Sequence, residues 1–373
     1  LGERERKTGR RYLGIATDGA VFIAYELREG LLIEMRRLTL RKERPGDLLA
    51  WLELAISERD DLPPEPIHIQ LALGRDSLTY ERARGVLTKL WAALESHPEV
   101  RLKRQLWDGL LSLVCGTAVG DDTLLLQHTY LTIVAKTVAV RVLDLRADDA
   151  EAILSGRMLD DQGIHGAVEG DFFDWVLQHA DGRDLVLKVA QQVARFRLRD
   201  VQADVLKALY ESLIDPAQRH DIGEYYTPDW LAAKVVAAAV PHPLASRVLD
   251  PACGSGTFLF HAIRRLLAAA EAQGWPIERA LEACAAKVRG LDVHPVAVII
   301  ARVTWLLALG DAILHRRMDL HVPVFLGDAL QWNRRQVGDV YDVVVAVPED
   351  RPLHVPAGFA EDQAKFDPGL RVL

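Results

Sequence analysis

The stretch VLDPACGSGTFLF, Val248 to Phe260, constrains the fold more than any other part of the chain. A β-branched, apolar run ends in an acid, Asp250. A glycine-rich bend follows at Gly254-Ser255-Gly256, and a helix-like apolar run begins at Thr257. Strand, acid, glycine bend and helix together let the backbone pass close to a nucleotide-like ligand. The bend is not the Gly-x-Gly-x-x-Gly of a dinucleotide fold. A carboxylate at the strand end would also repel a pyrophosphate seated on the helix N-terminus.

Around this stretch the pattern is α/β. Spacing predicts a helix over Asp229 to Ala239, a strand over Ser246 to Leu249, and helices over Thr257 to Ala272 and Ile277 to Ala286. A strand at Val288 to Asp292 and a long helix after Pro295 come next, then strands at Val322 to Leu326 and Tyr341 to Ala346. Short apolar strands alternating with helices predict a doubly wound, Rossmann-like parallel sheet, with its ligand beyond the carboxyl ends of the strands.

Three of those strands end in acids: Asp250, then Asp292 in GLDVHP, then Asp328 in FLGDAL. One such Asp is most simply a helix cap. Three in register, one of them before a glycine bend, point to a ligand. Asp292 suits a pair of ribose hydroxyls and Asp328 an adenine amino group. Asp250 suits a positive charge. S-adenosylmethionine, with its ammonium and sulfonium, meets all three demands.

The rest of the chain precedes this region. YLGIATDGAVFIAYEL contains two β-rich runs around the turn dipeptide Asp18-Gly19, and LLIEMRRLTL reads as a third strand. From Gly46 the apolar spacing is helical, and Arg101 to Leu213 reads as almost wholly helical. The expected division is a β segment over 1–45, a helical connector over 46–220 and an α/β domain over 221–373. The chain opens on Leu1 rather than Met, as a fragment of something longer would. Three cysteines, Cys115, Cys253 and Cys284, form neither a disulfide framework nor a metal-binding pair. The apolar run Val296 to Ile313 carries Arg302 and reads as a buried helix rather than a membrane span, which predicts a cytoplasmic protein with no membrane partner. His128 reads as a satisfied core histidine, Cys253 as a small residue beside the ligand, and Phe172, Phe173 and Trp175 as interhelical packing. A net charge of −8 is not the usual footprint of a nucleic-acid binder, although basic clusters occur at Arg195 to Arg199 and Leu314 to Met318.

In order, GEYYTP (Gly223 to Pro228), DPACGSGTF (Asp250 to Phe258), GLDVHPVAV (Gly290 to Val298) and GDAL (Gly327 to Leu330) resemble the motifs of amino-group DNA methyltransferases. With the YYTP segment first, the order is similar to the gamma class, whose members make N6-methyladenine in type I and type IIG restriction–modification systems. The resemblance covers roughly Tyr210 to Ala346. It implies that Tyr226 and Thr227 close over the methionine end of S-adenosylmethionine. Asp250 and Ala252 would contact the amino-acid moiety, Asp292 the ribose and Asp328 the adenine ring, with Gly254 and Gly256 letting the backbone pass close to the cofactor. It implies double-stranded DNA as substrate, and a specificity or nuclease partner beyond this chain.

The resemblance breaks at the catalytic motif, Asn-Pro-Pro-aromatic in the family. There the Asn carbonyl and the next backbone carbonyl accept the two N–H bonds of the adenine amine, and the aromatic ring stacks on the flipped base. Here the sequence is Val347-Pro348-Glu349-Asp350, and only Pro348 matches. Val347 cannot accept a hydrogen bond and Asp350 cannot stack. Three explanations stay open: a truncated piece of an active enzyme, a cofactor-binding pseudo-enzyme, or an acceptor supplied by Glu349 or Asp350. The expectation is weak or absent transfer. An RNA or protein amine as substrate, or a non-catalytic subunit of a defence complex, are the rival readings. The N-terminal hairpin resembles one found in restriction-type nuclease domains. Its only Glu-x-Lys is Glu5-Arg6-Lys7, in a charged run that reads as a solvated terminus.

Overall fold

The computed structural model describes residues 13–28, 31–41, 47–49, 51–52, 62–115, 121–216, 219 and 226–330, and the backbone strands 333–337, 340–345 and 353–356. The charged run at Glu5 to Lys7 and the motif at Val347 to Asp350 lie outside the described residues.

Strands β1 (Leu13–Thr17), β2 (Val21–Arg28) and β3 (Leu31–Thr39) form an antiparallel sheet in that order. The turn at Asp18-Gly19 forms as its composition predicts. The Asp18 carboxylate accepts the N–H groups of Ala20 and Val21 at 2.9 and 2.6 Å, and Gly19 takes a φ of 92°. A small core of Ala24, Leu38 and Trp51 backs this sheet.

The helical block comprises α1 (Pro66–Leu73), α2 (Leu78–Leu94), α3 (Pro98–Cys115), α4 (Asp122–Val142), α5 (Ala150–Ser155), α6 (Ala180–Val193) and α7 (Val205–Leu213). Helix α4 is its axis. Asp121 caps it by accepting the Leu124 N–H at 2.7 Å. From Gln127 to Val140 every residue is buried, as expected of a helix packed on all sides. Several of the polar residues on it are paired, while the Thr132 hydroxyl and the His128 ring nitrogens have no hydrogen-bond partner among the described residues. Thr129 and Thr137 donate to carbonyls one turn back, and Lys136 meets Asp171 at 2.7 Å and the carbonyls of Leu154 and Glu169. Phe173 and Trp175 pack against this axis as predicted, and the Trp175 indole donates to Thr129 at 3.0 Å.

The α/β region starts with α8 (Asp229–Ala239) and continues through β5 (Val248–Asp250), α9 (Thr257–Ala272), α10 (Ile277–Lys287), β6 (Val288–Asp292), α11 (Pro295–Leu309) and β8 (Val324–Leu326). Strands β5, β6 and β8 are parallel neighbours in that order, and α9, α10 and α11 pack against them, while two short strands, β4 (Ile164–His165) and β7 (Leu320–His321), form a separate parallel pair. Helix α11 opens on Pro295, where the missing N–H costs nothing. The apolar stretch Pro295–His315 is mostly buried, against α4 and α9 among others, which is the packing of a core helix. Its Arg302 donates to the Val324 carbonyl at 3.0 Å and to Glu169 at 2.7 Å. One continuous hydrophobic cluster runs from Leu62 through α4, α7 and α11 to Val324, so the helical block and the parallel sheet share a core.

One expectation is corrected. The run expected as a fourth parallel strand forms β10 (Val340–Val345), which pairs antiparallel with β9 (Asn333–Val337) and β11 (Leu353–Pro356) in a separate sheet. Its register sets Val337 opposite Val340, a local pairing with far less chain to close than insertion beside β5 requires. β5 is thereby left at an edge of the described sheet, with Leu249 65% exposed.

The shared core yields a prediction. The full chain unfolds through the helical block and the parallel sheet in one denaturant transition. A piece cut at residue 220 loses the α4 surface over α11 and shows no cooperative transition. Independent unfolding of the two regions, read by circular dichroism and tryptophan fluorescence, would contradict it.

Candidate functional site

Parallel register brings the three acids to one edge of the sheet. Asp250 ends β5, Asp292 ends β6, and Asp328 lies two residues beyond β8. The strand tips are laced together: the Cys253 N–H donates to the Leu291 carbonyl and the Gly327 N–H to the Asp292 carbonyl, each at 2.9 Å.

Asp292 is the tightest member. Its carboxylate accepts the Gly254 N–H at 2.8 Å through one oxygen and the His294 N–H at 2.8 Å through the other. It therefore joins the glycine bend to the entry of α11. His294 caps that helix through Nδ1, which accepts the Ala297 N–H at 3.3 Å. Burial lowers the His294 pKa to about 4, so the ring is neutral near pH 7.

Asp250 is held differently. One oxygen accepts the Ala252 N–H at 3.3 Å, and the other is buried with no hydrogen-bond partner among the described residues. Burial pushes its pKa up, the Ala252 N–H opposes this, and the neighbouring Asp292 charge adds to the rise. A buried carboxylate oxygen beside a second carboxylate is a place for a cation or an N–H donor.

Ala252 is exposed at the mouth of the bend. The bend itself needs glycine. Gly254 and Gly256 take φ values of 52° and 88°. A Cβ on Gly256 would sit 3.1 Å from Ala301 Cα, so the backbone of the bend runs directly against α11. Facing it, a Cβ on Gly254 would lie 3.7 Å from the Tyr226 ring, while Thr227 turns its carbonyl to the Lys207 ammonium at 2.8 Å. Asp328 is partly buried and accepts the Leu330 N–H at 2.8 Å. Cys253 is buried, and burial raises its thiol pKa far above the ordinary range, so it supplies no thiolate.

Tyr226, Thr227, Asp250, Ala252, Gly254, Gly256, Asp292 and Asp328 thus line one edge of the sheet. Pro348 and the flanking Val347, Glu349 and Asp350 lie outside the described residues, as do Gly223 to Tyr225. One contributor escaped sequence reasoning. Asp204, ahead of α7 and 3% exposed, accepts the Ser255 and Thr257 hydroxyls at 2.6 and 2.8 Å. The only local signal was an Asp before an apolar helix, which reads as a cap.

His128 is corrected in one respect. It is a core residue, ringed by Trp107, Phe173, Tyr210 and His294, but neither ring nitrogen has a hydrogen-bond partner among the described residues. Burial drives its pKa well down, with His294 adding to the effect, and this keeps it neutral.

Comparison with known proteins agrees with the motif resemblance. Residues 201–354 match the family model described as N-6 DNA methylase. An adenine-specific methyltransferase, PglX of Streptomyces coelicolor, is 35% identical over 103 residues, which are 26% of this chain and 8% of PglX. Among solved structures, a DrdV–DNA complex is 19% identical with a TM-score of 0.41, over 88% of this chain and 32% of its own. A nuclease-deletion mutant of the type ISP restriction–modification enzyme LlaGI, bound to a DNA substrate mimic, is 11% identical with a TM-score of 0.40, over 77% of this chain and 22% of its own. The chain therefore spans a minor part of each of these proteins.

Two outcomes follow from the geometry. Gly256→Ala loses about 1–2 kcal/mol from the left-handed backbone alone, before the approach to Ala301 is counted. An unchanged urea midpoint would contradict that. For Asp250, a pKa raised in the folded state means that ionisation weakens the fold as pH rises through that value. Asp250→Asn therefore raises the unfolding temperature of the ligand-free protein near neutral pH, and a lower one would show that the carboxylate is compensated.

Proposed function

We propose that this chain carries the cofactor-binding region of a DNA methyltransferase that methylates adenine at N6, in a restriction–modification or phage-defence system. The carrying observation is the unpartnered, buried oxygen of Asp250 beside the Asp292-tethered glycine bend. The match of residues 201–354 to the N-6 DNA methylase family supplies the chemical context.

The residues fit S-adenosylmethionine. Bound there, it supplies an activated methyl group on a sulfonium. Asp250 takes the ammonium of its amino-acid end, ending the isolation of that carboxylate. Asp292 is already oriented by two backbone N–H groups and keeps lone pairs for ribose hydroxyls. Asp328 accepts from the adenine amine of the cofactor. Tyr226 and Thr227 form the opposite wall, and the glycine bend allows close approach without a side chain in the way.

The target adenine leaves the duplex to reach this edge. In the motif that the sequence resembles, Pro348 would supply one backbone carbonyl to its N6 amine. Val347 offers no second acceptor, so the amine is poorly stabilised as positive charge develops on it, and transfer is slow or absent. That same Val347 favours a second reading, a subunit that binds cofactor and DNA without transferring methyl. DNA is the expected partner in either case, with a specificity or nuclease component outside this chain and a cytoplasmic setting.

Two measurements test the reading. In calorimetric titration the chain binds S-adenosylmethionine, and Asp292→Ala weakens binding. In a tritiated-methyl assay on duplex DNA the chain is slow, and Val347→Asn increases incorporation into adenine. Absence of binding by a folded chain would remove the cofactor reading. Ordinary methylation rates without the substitution would overturn the account of Val347.

A further inference from the structure

The turn that begins α7 lies in the helical block, yet it reaches both walls of the site. Oδ2 of Asp204 accepts the hydroxyls of Ser255 and Thr257, and Oδ1 accepts the Lys207 N–H at 2.9 Å. The Thr304 hydroxyl of α11 lies 3.4 Å from Oδ1. One turn on, the Lys207 ammonium donates to the Thr227 carbonyl. The Asp204 N–H points at Asp229 Oδ1, 3.4 Å away, and that oxygen also lies 3.1 Å from Nε2 of His261 on α9.

Capping α7 requires only Oδ1. The second oxygen is committed to two hydroxyls more than fifty residues away in sequence, on either side of Gly256. Hydroxyl-to-carboxylate bonds this short are the stronger kind, and they are made here out of water. Ser255 and Thr257 are themselves buried, so they have no water to turn to if the carboxylate is removed. The bend combines two left-handed glycines with close backbone packing on α11, and it is held by Asp292 at Gly254 and by Asp204 at Ser255 and Thr257.

We infer that Asp204 is a positioning residue for the cofactor site, fixing the glycine bend through Ser255 and Thr257 while Lys207 holds Thr227 at the facing wall. The inference rests on the reading of the bend as the S-adenosylmethionine site. Asp204 acts through the bend and touches no ligand. Its role is therefore a coupling between residues, which a double-mutant cycle measures and a general loss of stability does not imitate.

The experiment is calorimetric titration of the full chain with S-adenosylmethionine, with thermal melting of every variant. Asp204→Ala weakens binding about tenfold, the worth of one or two hydrogen bonds to a charged group. The pair Ser255→Ala with Thr257→Val weakens it comparably. Adding Asp204→Ala to that pair changes affinity by no more than about twofold, because the bonds it would break are already gone. Asp204→Asn keeps an oxygen to cap α7 and covers the case in which the alanine variant does not fold. It melts near the parent temperature and still binds more weakly, since with its oxygen on the cap the amide turns an NH2 group, a donor, toward the two hydroxyls. A folded Asp204→Asn variant that binds as the parent does would overturn the inference, as would full additivity in the cycle. Failure of the parent chain to bind would instead bring down the cofactor reading, and the inference with it.

Discussion

The site depends on one carboxylate with two backbone partners. Asp292 accepts the N–H of Gly254 and the N–H of His294, so the end of β6 sets both the course of the glycine bend and the start of α11. The negative charge at the strand tips follows from the same arrangement. Asp292 is satisfied by the backbone, while its neighbour Asp250 retains a buried oxygen with nothing to accept from among the described residues. The result is a local destabilisation that a cationic ligand at this edge would relieve.

The scaffold that makes this edge rigid lies mostly outside it. Helix α11 packs against the sheet and against α4, and α4 is buried from Gln127 to Val140 because it has neighbours all around. Several polar groups inside this core are paired across long distances in sequence: Lys136 with Asp171, Arg302 with Glu169 and the β8 backbone, Asp204 with the bend. Such pairs contribute little net energy when complete, and leaving one partner alone is costly. They fix one relative placement of helices that apolar packing alone would allow to slide.

Much of this was legible in the sequence. Thr257 to Ala272 and Val288 to Asp292 form a helix and a strand over the same residues that their periodicity predicts, because local spacing and burial agree there. The acids at three strand tips were readable once the alternation of strands and helices was seen. Three features were not readable, each for a physical reason. The partner choice of β10 is a competition between a local antiparallel pairing and a distant parallel one, and apolar composition is the same for both. The link from Asp204 to Ser255 and Thr257 has no local pattern, since an aspartate before a helix is accounted for by its capping bond. The unpartnered ring of His128 is set by which side chains surround it: Trp107, Phe173, Tyr210 and His294, contributed by different elements.

The central claim is that Asp250 awaits a positive charge. It is tested most directly by counting the protons exchanged when S-adenosylmethionine binds, from calorimetric heats in buffers of different ionisation enthalpy at mildly acidic pH. A carboxyl whose pKa is raised in the free protein, then lowered by an adjacent ammonium, gives up protons on binding. The account predicts net proton release that disappears in Asp250→Asn. Heats independent of the buffer, or release undiminished in that variant, would show that the ligand's charge is met somewhere other than Asp250.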